Sequence, residues 1–278
     1  MKSFYLVFTL WMVVALTLAA CSSVATQTPP APALPKTTLT IAGSGGAATV
    51  LKYLAGAYGE QHSEMGFEFL SGSSSGGGVK GVLDGTLDLG TMSRPPKDSE
   101  LASGIEYIAI SIDRIVIATS SDLSITNLTS QQVRDIFLGN ITNWSAVGGP
   151  DVAINVFVRD EEESSTQVLR KELFGDEAFA AGAVVFTSDG DLRAALSDAT
   201  NTITFLGYSG IRLSDADIRT LAIDGKDPSD LNSDYPYVRP MGVAYLLSNM
   251  SRVQPFLDFI SSPEAYALLT EKGINPPE

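Results

Sequence analysis

The chain has 278 residues, of which 44% are hydrophobic and 18% charged, and its 32 acidic and 18 basic side chains give a formal net charge of −14. This acidic balance argues against a nucleic-acid-binding protein, because such a protein needs a basic surface to neutralise phosphates. A single Cys excludes an intramolecular disulfide and a Cys-based zinc site, and a single His disfavours a Ser-His-Asp hydrolase or a His-rich metal centre. The composition is that of a globular, soluble, exported protein, and we expect no metal and no cofactor.

The N-terminus has the pattern of an export signal. Lys2 precedes an apolar run from Phe4 to Leu18, which is shorter than the roughly 20 apolar residues of a membrane span. The run closes with Leu18-Ala19-Ala20-Cys21, which resembles the lipobox of bacterial lipoproteins, where the Cys thiol is acylated and the preceding peptide is removed. We therefore predict a signal peptide at 1–20 and a lipid anchor on Cys21. The alternative is an ordinary cleaved signal with an incidental Cys.

A tether follows the cysteine. Residues 22–38 are rich in Ser, Thr, Ala and Pro and contain few large apolar side chains. Such a segment does not bury enough apolar surface to fold, and its prolines make it partly extended. The sequence predicts a lipidated Cys and tether over 21–38, with the folded part beginning near Leu39.

Strands and helices alternate after the tether. Short apolar strands at Leu39–Ala42 and Phe67–Leu70 each run into a Gly/Ser-rich loop, and the spacing of apolar residues predicts a helix over Ala48–Gln61. Ile105–Ile110 and Arg114–Thr119 are predicted to be further buried strands. The repeated order of strand, loop and helix predicts an α/β sheet with crossover helices, divided into more than one lobe.

The Gly/Ser loops have the composition of an anion site. Two of them, Gly43–Gly46 and Ser71–Gly78, precede predicted helices, and Glu163–Thr166 opens a third helix. Glycines leave the N–H groups of a helix's first turn accessible, serine hydroxyls add donors, and the helix dipole favours negative charge. Arg94 and Arg159 lie close to these loops in sequence. No loop matches a P-loop or a dinucleotide fingerprint.

Four stretches of the chain resemble the phosphate-binding proteins of bacterial ABC transporters, which are two-lobed periplasmic-type binding proteins. The stretches are Leu39–Val50, Ser71–Arg94, Ile110–Arg159 and Tyr235–Pro240. The most specific motif is Ile136-Phe137-Leu138-Gly139-Asn140-Ile141-Thr142-Asn143-Trp144. The similarity covers essentially the whole chain after the tether.

The resemblance implies a type II periplasmic-binding-protein fold, with two α/β lobes joined by a hinge that close over one dehydrated oxyanion. It implies a first lobe of residues 39–112 with 212–278 and a second lobe of residues 113–211. The chain would then cross between the lobes near Asp113 and near Gly207-Tyr208.

The resemblance also implies which residues bind the anion. In the second loop it favours Ser75 over Ser73 and Ser74, and Ser93-Arg94 matches the Ser-Arg form of the next motif. The phosphate-binding residues expected in this way are Ser44, Gly45, Gly46, Ser75, Ser93, Arg94, Arg159, Ser164, Ser165 and Thr166.

Two departures from the family pattern bear on the identity of the anion. Other members place an Asp where Arg94 stands, and that carboxylate accepts the proton of hydrogenphosphate, which sulfate lacks. In the second departure, the family has an Arg followed at short distance by Gly-Ser-Gly-Thr, whereas Arg159 is followed by four acidic residues at 160–163 and then by Ser164-Ser165-Thr166, so that both glycines are replaced. Glu163 would repel a bound dianion unless its side chain turned to solvent. The acidic run is therefore either a solvated first turn that favours the helix dipole or the sign of lost or altered phosphate binding.

The resemblance implies a lipid-anchored, extracytoplasmic solute-binding protein that captures inorganic phosphate and delivers it to an ABC transporter permease. We expect the protein to be a monomer. We also expect that it is not an enzyme, because the sequence lacks the base, the metal cluster and the convincing nucleophile that a phosphate-ester hydrolase would need. Two alternatives stay open: a binding protein for another oxyanion, and a sensor or adhesion module that uses the same fold without a transported solute.

Overall fold

The computed structural model describes residues 36–214 and 216–277, so the predicted signal peptide, Cys21 and most of the tether lie outside the described residues. The strands are, in chain order, β1 (Thr37–Gly43), β2 (Met65–Phe69), β3 (Leu89–Met92), β4 (Ile105–Thr119), β5 (Asn127–Leu128), β6 (Asn155–Arg159), β7 (Val184–Phe186), β8 (Thr202–Gly207), β9 (Arg219–Thr220), β10 (Ala222–Ile223) and β11 (Val238–Leu246). The helices are α1 (Gly45–Gln61), α2 (Ser75–Leu83), α3 (Asp98–Ala102), α4 (Ser130–Phe137), α5 (Ser164–Leu169), α6 (Asp189–Asp198), α7 (Tyr208–Arg212), α8 (Met250–Ile260) and α9 (Pro263–Glu271). A π-helical turn, Arg170–Phe174, continues α5. None of the helices in the described ranges has both the length and the apolar character that crossing a membrane requires.

Nine of the strands form a curled, mixed sheet, and β5 and β10 pair separately with each other. Its order is β2-β1-β3-β11-β4-β8-β6-β7, and β9 pairs with β4 beside this path. β1 is parallel to β2 and β3, and β6 is parallel to β7 and β8. β11 is antiparallel to β3 and β4, and β8 is antiparallel to β4. The parallel pairs, joined through helices, confirm the predicted α/β class.

The strand β4 belongs to both halves of this sheet. Its first part pairs with β11 from Ile105↔Leu246 to Arg114↔Val238, and its last five residues pair with β8. The sequence predicted two separate strands here, Ile105–Ile110 and Arg114–Thr119. The structure shows one strand of 15 residues instead, because the residues between them contain no Gly or Pro that would interrupt it.

The buried apolar side chains of the described residues form two large clusters. The first core lies between the sheet and α1, α8 and α9, with Leu51 and Phe256 at its centre. The second core surrounds the fully buried side chains of Phe137, Trp144 and Phe205. The helices α8 and α9 therefore cover the first core, and the conspicuous IFLGNITNW motif contributes packing residues to the second.

Residues beyond the predicted return crossing at Gly207-Tyr208 also pack in the second core. Leu221, Ile223, Tyr235 and Tyr237 all pack in the second core. The Tyr235 hydroxyl also donates a hydrogen bond of 3.2 Å to the carbonyl of Ile115 on β4. The division into 39–112 with 212–278 and 113–211 stays a prediction, and this packing favours a return crossing near β11. At the other end, β1 begins at Thr37, two residues before Leu39.

A tight junction leads from β1 into α1. Gly43 has φ +136°, and a Cβ atom there would lie 2.3 Å from the carbonyl oxygen of Thr91, so glycine is required at this position. The amide of Ser44 donates to that carbonyl at 2.9 Å, and the amide of Ser73 donates to the carbonyl of Gly43 at 2.9 Å. These bonds bring the first two Gly/Ser loops together at the carboxyl ends of neighbouring strands.

Candidate functional site

Two polar cavities lie where the three Gly/Ser loops meet. The first cavity, about 160 Å³, is bounded by the starts of α1 and α2 on one side and by the start of α5 on the other. The second cavity, about 470 Å³, lies beside it and extends toward the start of α6. Ser74 and Glu163 line both cavities, so the Glu163 side chain lies at the boundary between them.

The residues expected from the sequence divide between these cavities. Those that line the first cavity are Ser44, Ser75, Arg94 and Ser164. Those that line the second cavity are Gly45, Gly46, Arg159 and Ser165. Ser93 and Thr166 line neither cavity and are fully buried. The fold thus brings together residues of the first two Gly/Ser loops, Arg94 and the segment 159–165, but it divides them between two cavities.

Ser93 supports the site from behind. Its hydroxyl is 2.6 Å from that of Ser44 and accepts a hydrogen bond from the amide of Ala47 in the first turn of α1. Its amide donates to the Ser75 hydroxyl at 3.1 Å. Ser93 therefore fixes the orientation of two hydroxyls that face the first cavity, rather than facing it itself. Thr166 has a similar supporting role, because its hydroxyl donates to the carbonyl of Arg159.

The start of α2 presents its N-cap to both cavities. Ser74 is the N-cap residue, and its hydroxyl accepts a hydrogen bond of 3.2 Å from the amide of Gly77. This bond satisfies one of the amides that a helix leaves unpaired at its N-terminus. The sequence analysis favoured Ser75 over its neighbours, whereas the structure places Ser74 beside Ser75 at the first cavity.

Arg94 faces the first cavity, but its charge is already paired. Both of its terminal nitrogens donate to the Glu100 carboxylate, at 2.8 and 2.6 Å. The same carboxylate accepts from the amide of Lys97, the N-cap residue of α3. These hydrogen bonds, with that from Arg94 the largest cause, hold the pKa of Glu100 below its ordinary value. Glu100 is thus a charged partner that the sequence analysis did not identify.

Arg159, at the end of β6, is the most deeply buried arginine that lines either cavity, with 5% of its side chain exposed. Its Nη2 atom lies 3.1 Å from the Glu163 carboxylate and donates to the carbonyl of Thr187, and Nη1 lies 3.6 Å from Asp189. Within the described part of the chain, Nε and Nη1 of Arg159 have no hydrogen-bond partner. Buried guanidinium donors are costly to leave unpaired, so this side chain retains capacity for an acceptor.

A buried ion pair joins the crossing strands to α5. The Asp113 carboxylate on β4 accepts from Nε and Nη2 of Arg239 on β11, at 3.2 and 2.9 Å, and from the amide of Ser209 at 2.9 Å. The remaining terminal nitrogen of Arg239 donates to the Ser164 hydroxyl at 2.6 Å. Arg239 therefore connects the crossing strands to a residue that lines the first cavity.

The sequence analysis missed four residues that line the first cavity, namely Ser74, Gly76, Lys97 and Gln167, and it did not predict which way Glu163 would point. A Ser directly before a Ser-Gly-Gly-Gly helix start is an N-cap signal that would have identified Ser74. No local pattern indicates Lys97 or Gln167, because their position depends on how distant segments pack.

The chemistry of the site is that of anion binding. Its donors are hydroxyls, helix-start amides and guanidinium groups, and the charged side chains that line the first cavity are Arg94, Lys97, Glu162 and Glu163. Two positive and two negative groups leave the electrostatics near balance, so individual donors decide what binds. Within residues 36–214 and 216–277, no cluster of three or more His, Cys, Asp or Glu side chains could hold a metal ion.

The chain is similar in sequence to known phosphate-binding proteins. The phosphate-binding protein PstS of Borreliella burgdorferi is 25% identical over 209 residues, which cover 70% of this chain and 75% of that protein. The PstS of Bacillus subtilis is 24% identical over 248 residues, which cover 86% of this chain and 80% of that protein. An ABC-type phosphate transport receptor from Vibrio cholerae is 27% identical with a TM-score of 0.64, covering 86% of this chain and all of that one.

The fold has further matches among solved structures. A substrate-binding protein with bound phosphate from Clostridium perfringens superposes with a TM-score of 0.76 at 24% identity, over 87% of this chain and all of that one. These neighbours confirm the predicted two-lobe fold. The family model described as the PBP superfamily domain matches residues 27–264, which is most of the sequence. The chain therefore belongs to the PBP superfamily.

Proposed function

We propose that this protein is an extracytoplasmic solute-binding lipoprotein that captures inorganic phosphate between its lobes and delivers it to an ABC transporter permease. The lipid anchor on Cys21 and the monomeric state are parts of this proposal that rest on the sequence. The relatives named above are phosphate-binding and phosphate-transport proteins, which supports a binding role rather than an enzymatic one.

The observation that carries the proposal is the donor set around Arg159. The guanidinium is buried, and its Nε and Nη1 atoms have no hydrogen-bond partner within the described residues. A buried cation with unpaired donors is stable when an acceptor completes it, and an oxyanion offers several acceptors with the geometry that a guanidinium matches. The hydroxyls of Ser44, Ser75 and Ser164 lie around the adjoining cavity as further donors.

Closure of the lobes supplies the mechanism. β4 and β11 are the long strands that pass between the two cores, and we propose that bending of this pair opens and closes the cleft. The donors of the first loop lie at the first core, whereas Arg159 and Ser164 belong to elements packed on the second. An anion that contacts both groups stabilises the closed state, and it does so by its differential affinity for that state.

The test is calorimetric titration of the purified chain, kept in mild detergent and freed of bound anion, with phosphate and then with sulfate. We expect phosphate binding that Arg159→Ala weakens by about 30-fold or more, because removing one partner of a buried charged contact costs roughly 2 kcal/mol or more. Arg219→Ala is the matched control, since Arg219 is exposed on β9 and lines neither cavity.

The outcomes separate the alternatives. Phosphate binding without a sulfate response supports a phosphate receptor, and preference for sulfate would assign another oxyanion to the same site. Silence to both anions would refute the proposed function. A folded Arg159→Ala variant that binds phosphate as tightly as the unsubstituted chain would refute the role given to Arg159.

A further inference from the structure

The carboxylate of Glu163 occupies a position that an oxyanion ligand would need. It lies 3.1 Å from Nη2 of Arg159 and lines both cavities. We propose that Glu163 is an intramolecular competitor for Arg159, and that an oxyanion binds by exchanging with this carboxylate rather than by entering an empty site. The inference rests on the proposed function and adds to it the residue that sets the affinity of the site.

The arrangement of the cavities supports an exchange. Ser44, Ser75 and Ser164 line the first cavity, whereas Arg159 lines the second, and Glu163 lies between the two groups. While the carboxylate stays there, an anion among the serine hydroxyls does not share Arg159 with them. Movement of one side chain would join the two donor sets, so the complete site forms only when Glu163 leaves.

The remainder of the acidic run anchors the loop, so that the Glu163 side chain can move alone. Asp160 accepts a hydrogen bond of 2.9 Å from the amide of Glu162. Glu161 pairs with Arg170, whose Nε and Nη2 donate to it at 3.1 and 2.6 Å. Glu163 itself has 33% of its side chain exposed, so a rotation of that side chain returns the carboxylate to water without moving the backbone.

Asp189 is less suited to the same role, although it is also near Arg159. Its contact with Arg159 is longer, at 3.6 Å, and its other oxygen is bound by Arg193. It also lies in the first turn of α6, where the helix dipole stabilises a negative charge. Asp189 therefore has partners that hold it in place, whereas the ion pair with Arg159 is the one that the described residues give to Glu163.

The exchange changes the expected affinity in a defined way. An oxyanion that takes both Nη1 and Nη2 of Arg159 must break the contact of Glu163 with Nη2, and the released carboxylate then remains near the anion, so both effects lower the affinity. Glu163→Gln keeps the shape of the side chain and removes its charge. We expect it to tighten the binding of inorganic phosphate by about 5- to 100-fold, which lies within the range typical of coupling between two binding events in a protein.

The experiment compares three forms of the full chain in the same phosphate titration: unsubstituted, Glu163→Gln and Glu161→Gln. Glu161→Gln is a matched control, because it removes the same charge from the same loop and also breaks a carboxylate–arginine pair, but lines neither cavity. We expect its affinity to stay within about threefold of the unsubstituted chain, since exposed charges are largely screened at physiological salt. Circular dichroism confirms that each variant is folded.

Each outcome decides the inference. Tighter binding by Glu163→Gln alone supports it. Phosphate binding by Glu163→Gln when the unsubstituted chain binds none supports competition by Glu163 but refutes the proposed function of the unsubstituted chain. Unchanged or weaker binding by Glu163→Gln overturns the inference, and so does equal tightening by both variants, which would mark a general charge effect. Absence of phosphate binding in all three forms refutes the proposed function and the inference with it.

Discussion

The buried pair of Asp113 and Arg239 makes the most sharply defined prediction about stability. The Asp113 side chain is 0% exposed and that of Arg239 is 6% exposed. Asp113→Ala removes a carboxylate that accepts three hydrogen bonds, two from Arg239 and one from the amide of Ser209. Arg239 would then keep the Ser164 hydroxyl as its side-chain partner among the contacts described.

The expected cost follows from leaving that cation in place. Breaking a buried ion pair by removing one partner costs about 3–5 kcal/mol, because the remaining charge is desolvated and uncompensated. For a protein of this size each kcal/mol lowers the melting temperature by roughly 2–4 °C, so a fall of about 6–20 °C is expected. Replacing both partners with apolar residues, as Asp113→Leu with Arg239→Met, should restore most of the loss.

Urea unfolding followed by circular dichroism measures the change. The control is Asp84→Ala, because the Lys80–Asp84 pair is an exposed ion pair, with 75% and 51% of the side chains accessible. Removing such a pair should cost less than about 1 kcal/mol. The reasoning fails if Asp113→Ala costs no more than Asp84→Ala, or if the double replacement is as unstable as Asp113→Ala alone.

Two further predictions concern a helix cap and a buried hydroxyl. Thr129 and Gln132 form the capping box of α4. Thr129→Ala should therefore lower the free energy of unfolding by about 1 kcal/mol, whereas Thr129→Ser should leave it nearly unchanged. Equal losses in the two variants would contradict the role of Thr129 as a cap. The Tyr107 hydroxyl has no hydrogen-bond partner within the described residues, and burial raises its pKa to about 12. The neutral phenol is thus favoured in the folded state, and the stability this gives is present below pH 10 and lost as the pH rises toward 12. Tyr107→Phe should be neutral or stabilising at pH 7 and should reduce the alkaline loss between pH 10 and 12 in urea titrations; a curve that matches the unsubstituted chain would show that Tyr107 does not titrate as described.

Much of the fold was predictable because its signals are local. The helix α1 and the strands β1 and β2 follow from apolar spacing and from the glycines at their ends. The third helix, expected after the loop Glu163–Thr166, forms as α5 and its π-helical continuation and already begins at Ser164 within that loop. The sequence predicted a break in β4, because a long strand resembles two short ones when polar residues such as Ser111 and Asp113 lie inside it. Residues 111–113 pair with β11, and this pairing keeps β4 continuous; pairing between distant strands is not a local property of the sequence.

Most residues that line the site were predictable from the sequence, but the carboxylates that pair with its arginines were not. Eight of the ten expected residues line one of the two cavities, whereas Ser93 and Thr166 lie behind them. The partners that compensate the arginines were not evident from sequence. Glu100 could be matched to Arg94 only once α3 had folded back on its loop, and Glu163 could equally have pointed to solvent. Side-chain direction at an acidic loop depends on which cation lies within reach, and that is fixed by tertiary packing.

The hydrogen-bonded ribbon of β4 and β11 has a mechanical consequence for any movement between the two cores. Its register runs unbroken in direction from Ile105↔Leu246 to Arg114↔Val238, with one irregularity at Met241/Gly242. Shifting one strand by a single residue along the other would turn all of the shifted strand's side chains to the opposite face, which buried strands do not tolerate. Flexing out of the ribbon's plane needs no such change. We therefore expect any movement between the two cores to bend the β4–β11 pair out of its plane rather than to shift its register.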